Sequence, residues 1–373
     1  MGELCLYYPG AERAILNYIN AGSCLANFFP FVAAPGEDSV QGHGENRVGG
    51  AQKTGDDGLV LALGGGGAAG LAHIGVLQVL VEHNIPVRAI AGTSIGAEIG
   101  AFIAGGMSVQ DLAAVSTSVD WKQNLQLFLP DLPTGGLISG VNIVEFLKGW
   151  LGVQRIEDLG IGYVAVAADL VRGEQVVLDH GDLVEAVRAS ISVPGVLAPV
   201  QIGDRWLVDG GVVNPVPFDV ARARFGGPVL AVAVHRGARR PAPSTGELPV
   251  PSPQWPEHLQ QLLHQPWMAR IPALRDWLKT QVVNARAQPP RTRPYWVARR
   301  VLDRVLDVAE SEIVRLRTEL SPPDLSLAPA VSDIGMLEFY RAREAIDAGR
   351  RAAQEQIAEI GALLGRSGGG GRE

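Results

Sequence analysis

The chain alternates between unbroken apolar runs and apolar residues spaced three or four apart. Leu59-Val60-Leu61-Ala62-Leu63, entered from Gly58, is a run of the kind a strand buried on both faces presents. From about Leu71 to His83 the period changes, and Leu71, Ile74, Leu77 and Leu80 recur on one helical face. Val87-Arg88-Ala89-Ile90-Ala91 reads as a second strand, Ala97 to Ala104 as a small-residue helix, and Pro228 to Val234 as a further buried strand. Strand, helix and strand alternating from 58 to 104 predict an α/β domain with a mostly parallel sheet between helices.

The turns between these elements carry the chemistry. Gly64-Gly65-Gly66-Gly67-Ala68-Ala69-Gly70 follows the first strand and opens the first helix. Backbone without side chains at a helix N-terminus offers N–H donors to an anion. Residues 65–70 fit a dinucleotide-binding glycine pattern, but that fold wants an acidic residue at the end of the second strand, and Ala91-Gly92-Thr93-Ser94 supplies none. No Lys-Ser or Lys-Thr follows the glycines, which excludes a P-loop. The remaining chemistry is an oxyanion hole for acyl transfer.

Gly92-Thr93-Ser94-Ile95-Gly96 sits between the second strand and its helix, the context that makes G-x-S-x-G a nucleophile elbow. Trp206-Leu207-Val208-Asp209-Gly210-Gly211 ends a short strand with a carboxylate on a glycine turn. Alone, Asp-Gly is a hairpin signal; beside the other two glycine motifs it supplies a general base.

These three blocks, in this order, resemble the patatin-like phospholipase family, bacterial branch. Lesser stretches agree: Val164 to Asp169, Ala189 to Gly195, Val212 to Pro217 and, later, Ser332 to Phe339. The resemblance spans roughly 58–235 and 318–355. It implies a three-layer α/β/α patatin-like domain with a C-terminal helical region. It also implies a lipid acyl hydrolase of the phospholipase A or lysophospholipase type, an EC 3.1.1 serine esterase working through an acyl-enzyme. By that resemblance Ser94 is the nucleophile and Asp209 the base of a dyad. Gly65, Gly66 and Gly67 form the oxyanion hole, supported by Gly70, Gly92, Gly96, Gly210 and Gly211. The family usually has Lys or Arg before the last glycine of the loop, where this chain has Ala69. Glu98 also departs from the family's small apolar preference; a first-turn acid complementing the helix dipole is favoured over a site role.

A serine–histidine alternative would use His235, at the end of the strand from Pro228, as the last member of a triad. The glycine loop lies immediately before the elbow unit, unlike the usual lipase arrangement, so His235 is read as a strand-end residue near the site. His73 is read as structural, packing on its helix. Two other classes stay open: a carboxylesterase for short-chain esters, and a non-catalytic lipid-binding protein.

Composition narrows the partners. At 373 residues the chain can bury a large core, and 47% hydrophobic against 19% charged residues describe an apolar globular protein. A net charge of −7 argues against nucleic acid. Cys5 and Cys24 give no disulfide framework, and no metal constellation appears, so no cofactor is expected. No stretch has the roughly 18 apolar residues of a membrane span, a signal peptide and myristoylation are unsupported, and a cytoplasmic location is expected.

The division expected is an accessory, partly disordered segment 1–57, a catalytic core 58–235, an insertion 236–300, a helical part 301–364 completing the core, and a disordered tail 365–373. Arg236 to Pro256 carries six prolines and reads as a stiff linker. Residues 255–300 hold Trp255, Trp267, Trp277 and Trp296, with eight Lys/Arg against two acids. That composition suits peripheral contact with a membrane, or equally a helical cap whose tryptophans pack on the core.

Overall fold

The computed structural model describes residues 58–118, 138, 140–152, 154–234 and 298–367. His235, the Pro-rich linker, nearly all of the 255–300 segment and the N-terminal segment 1–57 lie outside the described residues.

Eight strands among the described residues make one sheet. β1 (Leu59–Leu63), β2 (Val87–Thr93), β3 (Gly162–Asp169), β7 (Val229–Val232) and β8 (Leu325–Leu327) run parallel in the order β3-β2-β1-β7-β8. β4 (Glu174–Leu178), β5 (Val200–Ile202) and β6 (Arg205–Asp209) are antiparallel additions around β3. The sheet is therefore mixed with a parallel centre, as the unbroken apolar runs predict. β8 was not anticipated, because three residues give no periodicity to read.

Successive side chains of a strand point to opposite faces, and the core divides accordingly. Leu59, Leu61 and Leu63 enter one apolar cluster, Val60 and Ala62 the other. The first cluster is built with α1 (Ala72–Glu82), α2 (Ile95–Ala104), α3 (Val109–Ser118), α4 (Val141–Leu151), α5 (Leu183–Ser190) and α8 (Ala342–Glu355). The second is built with α6 (Phe218–Phe225) and reaches Val314 of α7 (Ala298–Leu320). Helices on both faces make the three layers. A last helix, α9 (Ile357–Ser367), runs three residues into the expected tail, because Ile360 and Leu363 bury its inner face.

α8 lies close against α1 because two glycines let the backbones meet. A Cβ on Gly75 would overlap the Ile346 carbonyl, and one on Gly349 would overlap the Ala72 carbonyl. Arg350 closes the contact by pairing with Glu82 at 2.7 Å. This packing carries the C-terminal segment back to the sheet end where the glycine loop lies.

One edge of β3 is shared by two strands. Val166 pairs with Thr93 of β2 and Val177 of β4; Ala167, the next residue, pairs with Asp209 of β6 and Val176 of β4. Since β4 runs continuously along one edge, β2 and β6 must follow one another along the other. β2 ends at the Thr93 rung, and β6 ends one rung further on.

Candidate active site

Ser94 is the hinge between β2 and α2. It is a non-glycine residue at φ 55° and ψ −127°, 7% exposed. Such a backbone costs of order 1–3 kcal/mol and persists only where its surroundings impose it. They do so here from two sides. Gly92 and Gly96 admit close backbone, since a Cβ on either would overlap Ala97 or the Leu63 carbonyl. The Ser94 N–H donates to Ser190 Oγ at 2.9 Å, and that hydroxyl donates to the Val166 carbonyl at 2.6 Å. Ser190 thus fills the gap where β2 stops and β6 has not begun.

Asp209 ends β6 on the adjoining rung. Its N–H donates to the Ser192 carbonyl at 2.9 Å, and its Oδ1 accepts from the Gly211 N–H at 2.7 Å. The turn is a tight 3-10 segment, Gly210–Val212, and not a hairpin. Oδ2 is buried with no hydrogen-bond partner. Burial pushes the carboxyl up to about 6; the neighbouring Ser94 hydroxyl and the Gly211 N–H pull it partway back. The Ser94 hydroxyl is thus near enough to favour the carboxylate, yet no bond of ordinary length joins the two, and the unpartnered Oδ2 decides the geometry. A looser pair without substrate is common for groups that exchange a proton.

The glycine loop stands opposite. His73 Nε2 meets the Gly64 carbonyl at 2.8 Å, and burial drives this imidazole down to about 4, so it is neutral and donates that bond. The Gly64 N–H donates to the Val232 carbonyl at 3.0 Å and the Gly65 N–H to the Pro215 carbonyl at 2.9 Å. Gly65 therefore cannot offer its N–H to an oxyanion as the three-glycine expectation requires, because a neighbouring loop has already taken it. The N–H groups of Gly66 and Gly67 have no partner among the described residues. Gly67 adopts φ 57°, and a side chain there would overlap the Met336 carbonyl, which accepts the Ala68 N–H at 2.8 Å. Gly70 lets the loop pack on Ile95. Ala69, at the family's cationic position, is fully buried and faces no cleft.

Ser94, Asp209, Gly66 and Gly67 line one cleft of about 50 Å³, walled on the far side by α7 through Leu306, Asp307 and Glu310. Behind Ser94 opens a larger cavity of about 160 Å³, lined by side chains such as Leu71, Phe102, Ile143, Leu197 and Met336. The two share Gly67, Ser94, Val193 and Met336. Glu98 is the sole charged residue of the larger cavity among the described residues. Burial raises its carboxyl to about 7. The side chain keeps some accessible surface, but that surface faces an apolar chamber, which explains the desolvation. Glu98 is the acid of the first turn of α2, as the sequence reading has it, and it also lines this cavity.

Four contributors were not legible as such. Ser190 and Met336 fall in family-like stretches, but their roles depend on a hydroxyl and a carbonyl meeting remote backbone. His73 looked like helix packing and instead ties α1 to the loop. Glu98 stands out in the sequence among small and apolar neighbours, and only the fold shows the cavity it lines. No cluster of His, Cys, Asp and Glu placed to hold a metal occurs among the described residues, and none of their helices is long and apolar enough to cross a membrane.

The sequence profile of patatin-like phospholipases matches residues 61–222, a span containing all three motif blocks. An uncharacterized NTE family protein of Mycobacterium bovis is 31% identical over 331 residues, covering 80% of this chain and 91% of that one. A longer uncharacterized NTE family protein of Mycobacterium tuberculosis is 34% identical over 300 residues, covering 80% of this chain and 46% of its own. The rat patatin-like phospholipase domain-containing protein 7 is 33% identical over 188 residues, 48% of this chain and 14% of that one. With the mixed three-layer sheet, the glycine loop and the strained serine turn in place, the chain belongs to the patatin-like phospholipase family.

Proposed function

We propose that the protein hydrolyses lipid acyl esters through Ser94 and Asp209. The observation that carries this is the meeting, in one cleft, of a serine on a strained turn with a buried carboxylate oxygen and two N–H groups that have no partner among the described residues. Each is costly or unsatisfied alone; together they match the needs of acyl transfer.

Ser94 Oγ attacks the ester carbonyl carbon while Asp209 Oδ2 takes its proton. The carbonyl oxygen becomes an oxyanion that accepts from Gly66 and Gly67. The intermediate collapses, the ester C–O bond breaks, and the alcohol leaves with the proton held by Asp209. Water then attacks the acyl-enzyme, again giving a proton to Asp209, and the free acid departs as Ser94 recovers its hydrogen. The apolar cavity beside Ser94 supports an acyl chain of several carbons, which favours a lipid substrate over an acetyl ester.

A fluorophosphonate probe tests the chemistry. It should label wild-type protein and fail on Ser94→Ala. A series of esters with acyl chains of increasing length tests the substrate class. Rates that peak at acetyl or butyryl would support a short-chain carboxylesterase, and absence of both labelling and turnover a lipid-binding protein.

A further inference from the structure

Glu98 is a costly residue to keep where it is. Its carboxyl makes no hydrogen bond among the described residues, yet it lines a cavity whose other walls are almost all apolar. Tyr163, whose acidity the Glu98 charge influences, spends its hydroxyl on the Ala97 carbonyl at 2.8 Å. Ser116 is the other hydroxyl in the lining besides Ser94 among the described residues. A saturated chain filling the cavity would cover this carboxyl and leave it unpaired, which binding sites generally avoid.

The position of the carboxyl says where a partner must lie. The Glu98 N–H donates to the Ser94 carbonyl at 3.1 Å, so the two residues are four apart, about 6 Å along the helix. Side chains on a helix lean toward its N-terminus, which brings the carboxyl back toward the acyl carbons nearest the ester. A hydroxyl can satisfy it in either state, donating to the carboxylate or accepting from the acid.

We propose that Glu98 makes the cavity selective for acyl chains carrying a hydroxyl close to the ester, at the β carbon. This rests on the hydrolase assignment above for its catalytic readout, and on the cavity alone for its binding readout. Glu98 acts here on choice of substrate and has no part in the proton transfers at Ser94.

The test compares β-hydroxyoctanoyl and octanoyl esters of one alcohol. Wild-type kcat/KM should favour the hydroxylated ester by about tenfold or more. Glu98→Gln, which can still hydrogen-bond, should keep most of that preference. Glu98→Leu should abolish or reverse it, chiefly by raising the octanoyl rate, with Glu98→Ala as a second variant should leucine perturb folding. A wild-type ratio near one, or a ratio unchanged in Glu98→Leu, would overturn the proposal. Calorimetric binding of the same two esters to Ser94→Ala, with and without Glu98→Leu, reads the cavity independently of turnover. Equal affinities in Ser94→Ala also overturn it. Loss of the hydrolase assignment alone would appear differently, as no hydrolysis or hydrolysis that survives Ser94→Ala, with the binding preference intact.

Discussion

Thr93 and Asp209 occupy consecutive rungs on the same edge of β3, opposite Val166 and Ala167. Ser94 follows Thr93, so the serine and the carboxylate, 115 positions apart in the chain, are placed by strand register and not by a flexible loop. Sites held on sheet elements keep closer geometry than sites on loops.

Asp209→Asn should therefore fold, because the amide oxygen can still accept from Gly211. It should lose about 10²–10⁴ in kcat on a soluble ester, the range for removing a general base. Normal turnover in this variant would mean that another base serves, His235 being the first to examine.

The acidity of Asp209 sets a pH limb. The base must be ionised, and burial raises its carboxyl to about 6. With an acetyl ester, too short to fill the Glu98 cavity, kcat/KM should be flat above pH 7 and fall about tenfold per unit well below 6. A limb near 4, the ordinary carboxylate value, would show that Asp209 is solvated during turnover.

Gly67→Ala confronts both a φ of 57° and the Met336 carbonyl. The loop must turn, and its N–H with it. Loss of one oxyanion donor costs about 10²–10³ in kcat, with KM much less affected. Steady-state kinetics alongside a thermal melt would separate a displaced donor from general unfolding; full kcat in the variant places the donors elsewhere.

Glu98 should also lower stability in a pH-dependent way. Its carboxyl lies near 7 when folded, against 4.5 ordinarily. Below 4.5 both states are protonated and there is no penalty. Between 4.5 and 7 the unfolded chain ionises while the folded protein holds its proton, so the penalty grows across that window and is full above 7. Glu98→Gln should then melt a few degrees above wild type at pH 8 and level with it at pH 4. An equal difference at both pH values would point to altered packing in place of charge.

Gly349→Val should be among the more damaging substitutions outside the cleft. Its side chain would overlap the Ala72 carbonyl, forcing α8 away from α1. A loss of about 1–3 kcal/mol is typical of overpacking. Denaturant unfolding measures it, and a ΔG within experimental error of wild type would mean the helices separate freely.

Much of this was legible in the chain because it is encoded locally. Gly64 to Gly70, Gly92 to Gly96 and Asp209 to Gly211 each announce a turn, and the runs 59–63 and 87–91 announce the strands that aim them. The division of β3's edge was not legible, since pairing register is a property of two distant segments. The fate of the Gly65 N–H was hidden for the same reason: its acceptor is a Pro215 carbonyl, and every residue has a carbonyl. Ser190 and Met336 likewise act through groups whose partners only the fold selects.

The bond from Ala68 to the Met336 carbonyl has a consequence in time as well as space. Ribosomes make the glycine loop early and its brace some 270 residues later. Until the residues around 336 are made, the Ala68 N–H lacks this acceptor, so the first 235 residues cannot by themselves complete the loop as it stands in the fold.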